Sequence, residues 1–149
     1  MKFFFSIVLA SALLLSNSLS CLAANPDHVG IVKLFAGDVY IERDNSQIKA
    51  EVNMKLLKGD HVRTGVDGKV GMIFEDDTLV SLGPNSKISI DDFLFQPSEK
   101  SFSFIVRIIQ GTASYISGQI GKLAPGFVRI ETPQATVGLR GTHVLVKVD

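Results

Sequence analysis

The chain has 149 residues, with 15 basic and 15 acidic side chains and no net formal charge. That length suits one compact domain, and the even balance argues against a nucleic-acid binder, which shows a basic stripe. With 46% hydrophobic and 20% charged residues, the chain can bury a core and is not a disordered tail.

Residues 1–24 stand apart. Met1-Lys2 is a short positive start, residues 3–15 are apolar apart from Ser6 and Ser11, and a polar patch around Asn17 leads to Cys21-Leu22-Ala23-Ala24. This is the layout of a secretory signal peptide, cut after Ala23 or Ala24. The apolar run falls short of the roughly 20 residues that cross a bilayer. The expected organisation is a signal peptide over residues 1–24 and one domain over residues 25–149, placed in the periplasm with no transmembrane span after cleavage. Cys21 is the only cysteine. It reads as a small residue of the cleavage region; the alternative is the lipidated first residue of a membrane-anchored lipoprotein, although Ser18 stands where that signal wants an aliphatic residue. With Cys21 removed, no thiol remains for a disulfide or a cysteine metal site.

The remainder reads as strands and turns. Residues 31–35 and 39–42 are β-rich runs around the turn Ala36-Gly37-Asp38, and residues 48–52 form a further short strand after Asp44-Asn45-Ser46. Residues 53–57 are the one stretch suited to a helical turn, ended by Gly59. Strands are then expected at residues 61–64, 70–74, 78–82, 87–90 and 93–95. Residues 102–109 and 113–116 follow as a pair around Gln110-Gly111-Thr112, and residues 118–126 as the longest irregular loop. The chain closes with strands at residues 128–132, 136–139 and 143–148. Turn signals every eight to twelve residues predict an all-β fold: a single compact domain of short antiparallel strands, sandwich- or roll-like, preceded by the signal peptide. Gly71 and Gly138 inside strand runs predict bulges or close backbone approach. A faint echo links Gly37-Asp38-Val39-Tyr40-Ile41 to residues 111–116, and residues 62–72 to residues 128–139. Two similar halves would explain it, as would the shared vocabulary of β-hairpins.

The catalytic inventory is thin. His28, His61 and His143 are isolated, whereas a metal site takes three or four ligands. Glu75-Asp76-Asp77 and Asp91-Asp92 are acidic clusters without calcium-loop spacing, read as solvated loop carboxylates. No serine sits in a nucleophile elbow, and Val137-Gly138-Leu139-Arg140-Gly141-Thr142 has neither dinucleotide-binding glycine spacing nor a phosphate-loop lysine. No catalytic residue, cofactor or metal is therefore assigned. An enzyme acting on envelope polysaccharide through Asp76, Asp77, Asp91 or Asp92 is the least favoured function.

An ordered set of motifs is more telling. Leu57-Lys58-Gly59-Asp60-His61-Val62-Arg63-Thr64-Gly65 leads through Asp67-Gly68 to Val70-Gly71-Met72-Ile73-Phe74, Gly83-Pro84-Asn85-Ser86 and Gly111-Thr112-Ala113. It ends in Thr132-Pro133-Gln134-Ala135-Thr136-Val137-Gly138-Leu139-Arg140-Gly141-Thr142. This resembles the FecR domain, the periplasmic module of ferric-citrate-type regulators, across nearly the whole of residues 25–149. The resemblance implies an all-β extracytoplasmic domain used for protein recognition, here as a standalone exported protein with an unidentified envelope protein as partner. A sensor of an iron chelate within a transmembrane signalling system is the alternative. Arg140 and Arg63 are the candidate interaction residues. Arg140, set between Gly138 and Gly141, is read first as pairing with a carboxylate such as Glu131, with contact to a partner as the alternative.

Overall fold

The computed structural model describes residues 28–140 and 143–149. The expected signal peptide and Cys21 lie outside the described residues. Twelve strands among these residues join in one sheet that curves into a half-barrel. They are β1 (Gly30–Ala36), β2 (Val39–Arg43), β3 (Ser46–Lys49), β4 (Lys55–Leu56), β5 (His61–Thr64), β6 (Lys69–Phe74), β7 (Leu79–Leu82), β8 (Lys87–Gln96), β9 (Ser101–Ile116), β10 (Val128–Glu131), β11 (Thr136–Gly138) and β12 (His143–Val148). The all-β expectation holds. Pairing is antiparallel throughout, save that β10 runs parallel to β9.

The sixteen residues of β9 organise the molecule. Its first part pairs with β8 on one side and β10 on the other; its last part pairs with β7 and β12. One wing of the sheet is thus β4-β1-β6-β7-β9-β12 and the other β3-β2-β5-β8-β9-β10-β11. The turn expected at residues 110–112 does not form. Gly111 adopts φ +85° within the strand, where a side chain would run into Ser86, and the chain passes from one wing to the other without reversing. Left-handed backbone is open to glycine at little steric cost.

Other local expectations shift for similar reasons. Residues 87–90 and 93–95 fuse into β8, with the register slipping between Ile90 and Asp92 and Asp91 left as the bulged residue. Residues 53–57 make no helical turn: Asn53 takes φ +66° and the chain enters β4. The expected irregular loop contains a short helix, α1 (Gln119–Leu123), followed by a 3-10 turn. Gly71 is a point of close approach, since a Cβ there would lie 3.3 Å from Leu34 Cγ, opposite the bulge in β1. The sequence echo marks no duplicated half: β5 and β6 have different neighbours, whereas β10 and β11 form a hairpin.

Alternation along the strands sends one side of each inward. Val32, Val39, Ile41, Val62, Ile88 and Ile90 are fully buried, each contributing about 1.5–3 kcal/mol relative to exposure. The centre is aromatic, with the Phe104 ring edge-on to Phe74 at 5.0 Å and to Tyr115 at 5.7 Å. Burial pushes the Tyr115 hydroxyl above its ordinary pKa.

Candidate interaction surface

The Thr-Pro-x-Ala motif builds the β10–β11 hairpin. Ala135 N–H donates to Thr132 Oγ1 at 3.0 Å and Thr132 N–H donates to the Ala135 carbonyl at 2.8 Å. A threonine hydroxyl bonding the backbone closes such turns, and Pro133 occupies the bend where no ladder donor is needed. On either side of the turn, Ile130 and Leu139 are buried and Val137 packs against the core. Arg129 and Arg140 remain exposed. Both line a groove of about 460 Å³ with Pro125, Thr136 and Leu139. Neither arginine has a carboxylate partner among the described residues. Glu131, the partner considered for Arg140, instead lies 3.3 Å from Arg107.

Arg63 is differently placed. Its Nε lies 3.2 Å from Glu42 Oε1 and its guanidinium covers the Tyr40 ring at 5.4 Å from the centroid. Lys87 Nζ donates to the same carboxylate at 2.8 Å, and this bond above all holds Glu42 below the usual carboxylate range. Arg107 reaches Asp91 at 2.9 Å, and Lys58 reaches Asp92 at 2.7 Å. The Lys58 bond, reinforced by the Ser103 hydroxyl at 2.7 Å, lowers the Asp92 pKa. The outer face of the β2-β5-β8-β9-β10 wing is therefore laced with internal ion pairs.

The acidic clusters are not all solvated. Asp76 is 0% exposed. It accepts from the Thr78 hydroxyl at 2.8 Å, Thr78 N–H at 3.2 Å and Ile120 N–H at 3.1 Å. Its carboxylate fastens the first turn of α1 to the β6–β7 connection, which explains its burial. Asp60 is 1% exposed. It accepts two bonds from Arg43, at 2.7 and 2.6 Å, and one from Leu57 N–H at 2.8 Å. Gly59-Asp60 suits a turn closed by side-chain-to-backbone bonding, and the Leu57 bond is of that kind; the Arg43 contact comes from a distant strand and has no local signal.

The histidines stay apart. His28 pairs with Glu75 at 2.8 Å, and His143 Nε2 lies 3.0 Å from Ser114 Oγ on the open surface. Among the described residues no three His, Cys, Asp or Glu side chains converge as a metal site, and no helix is long and apolar enough to cross a membrane.

The fold defines an all-β module with a folded half-barrel sheet, an arginine-bearing hairpin and acids engaged by neighbouring donors. The model of the FecR protein family matches residues 60–149, more than half of the chain, from buried Asp60 through the hairpin to β12. The protein belongs to the FecR family, a family of regulatory and signalling proteins. No curated protein and no solved structure matches it.

Proposed function

We propose that this FecR-family protein is exported to the periplasm and acts there without catalysis, as an interaction module that binds an envelope protein. The observation that carries this reading is the pair Arg129 and Arg140. Both are exposed beside one groove and unpaired among the described residues, while Arg43, Arg63 and Arg107 lie against carboxylates. Arginine presents a rigid fork of donors matched to carboxylates and is enriched at protein interfaces. The partner surface therefore carries acidic side chains that enter the groove between β11 and the 3-10 turn Pro125–Phe127.

Export rests on the apolar run of residues 3–15 and the cleavage region around Ala23 and Ala24; lipidation of Cys21 is the variant in which the module stays anchored. The absence of catalysis is supported by the state of the carboxylates. Asp76 is sealed from solvent, Asp91 and Asp92 each lie against a cation, and Asp77 accepts from the Gln119 amide. The test is charge reversal at the hairpin. R129E/R140E abolishes partner binding while the melting temperature stays within about 2 °C, as expected for exposed side chains; unchanged binding rejects the surface. An iron-chelate sensor would instead show thermal stabilisation by ferric citrate through mass action.

A further inference from the structure

The two wings close over one shared core, and each leaves an outer face to solvent. On the wing holding β1, β6, β7 and β12, the register places Lys55, Ile31, Ile73, Leu79, Ile116 and His143 in one row across the sheet. The next row is Leu34, Gly71, Ser81, Ser114 and Leu145. These side chains point away from the core, because their strand neighbours Val32, Met72, Val80 and Tyr115 are buried. Leu34 is 59% and Leu145 75% exposed. Between Leu34 and Ile116 the small residues Gly71 and Ser81 leave a shallow groove of about 430 Å³, with Lys33 and Lys69 at its rim.

No carboxylate stands in either row. Lys33, Lys55 and Lys69 have no ion-pair partner among the described residues, although the chain has as many acids as bases. An aliphatic plate bordered along its β1, β4 and β6 side by Lys33, Lys55 and Lys69 is complementary to an apolar surface carrying negative charge. A second copy of the same face would oppose lysine to lysine. A protein partner fits less well, since protein interfaces are depleted of lysine and enriched in arginine and aromatics, and neither row contains an arginine or an aromatic. Lysines around protruding aliphatic side chains are the composition that binds anionic lipid headgroups and enters the acyl boundary.

We infer that this face docks on an anionic phospholipid bilayer, with Leu34 and Leu145 entering the interface and Lys33, Lys55 and Lys69 on the headgroups. The surface is separate from the Arg129/Arg140 groove, so the module can lie on a membrane while its hairpin holds a protein. Docking does not depend on the protein-binding reading and survives R129E/R140E.

The experiment uses the exported protein as recovered, its N-terminus fixed by mass spectrometry and identical in every variant. Because the chain has no tryptophan, Leu34→Trp and Ile48→Trp act as single reporters, the second on β3 in the other wing. On vesicles of equal phosphatidylglycerol and phosphatidylethanolamine, the protein floats and the emission of L34W shifts to the blue while that of I48W does not. K33E/K69E lowers the vesicle partition coefficient about tenfold or more, and about 0.5 M salt does likewise by screening. Circular dichroism confirms that the variants fold. Absence of flotation, flotation unchanged by K33E/K69E, or a blue shift of both reporters would overturn the inference. So would an L34W signal that ignores vesicles but responds to a glutamate–leucine copolymer, in favour of an acidic protein partner.

Discussion

Asp60 and Asp76 carry carboxylates into the interior, and each is held by donors from a distant part of the chain. Asp60 locks β2 to the β4–β5 connection through the Arg43 fork, and Arg43 also donates to the Lys55 carbonyl at 2.9 Å. Asp60→Ala would strand a partly buried guanidinium and the Leu57 N–H, lowering stability by about 3 kcal/mol. Urea denaturation checks this, and a loss under about 1 kcal/mol would show that the pair is dispensable. Glu42 and Asp92 titrate below ordinary carboxylates because Lys87 and Lys58, respectively, bond to them. The unfolded chain thus binds protons more readily than the folded one. The stability from these groups is complete above about pH 5, beyond the ordinary carboxylate values of the unfolded chain, and is lost as pH falls through their lowered folded values. Melting curves from about pH 5 down to about pH 2.5 should steepen for the wild type and flatten for K58M/K87M; identical slopes would contradict the assignment.

The central element, β9, works because Gly111 lets one strand serve both wings. Gly111→Ala places a Cβ within 2.5 Å of Ser86 Cα at φ +85°. A loss of about 2–3 kcal/mol is expected, measured as a fall in denaturant midpoint; a neutral substitution would mean that the bend is not required. The same residue shows where sequence reading stops. Gln110-Gly111-Thr112 has the composition of a hairpin loop, and only the partners on either side, β8 and β10 before the glycine and β7 and β12 after it, decide that the strand continues. Asp76 and Asp77 are adjacent acids, yet Asp76 is buried by the α1 backbone some forty residues later, while Asp77 meets Gln119 at the surface. By contrast, the alternation of Lys87-Ile88-Ser89-Ile90 and the turn chemistry of Thr132-Pro133-Gln134-Ala135 are local, and both elements were legible. Arg140 is singled out by its motif, but the sequence leaves open a pairing with Glu131, which the structure gives to Arg107 instead. The neighbour of Arg140 in the groove, Arg129, was not singled out because an exposed strand arginine carries no local signal.

For the whole molecule, the distribution of charge matters more than its zero sum. One wing ties many of its charges into Glu42–Arg63–Lys87 and Asp91–Arg107–Glu131 contacts; the other sets Lys33, Lys55 and Lys69 around aliphatic side chains. The signature hairpin projects two further unpaired arginines. Membership of the FecR family supplies the regulatory class, and the hairpin supplies the place where we propose a partner is held. Photocrosslinking tests that claim most directly, with a benzophenone amino acid at exposed Thr136 on β11 and the protein expressed in its own envelope. The account predicts one discrete crosslinked envelope protein, lost in R129E/R140E and retained in R63Q. No adduct, or an adduct indifferent to the two arginines, would contradict it.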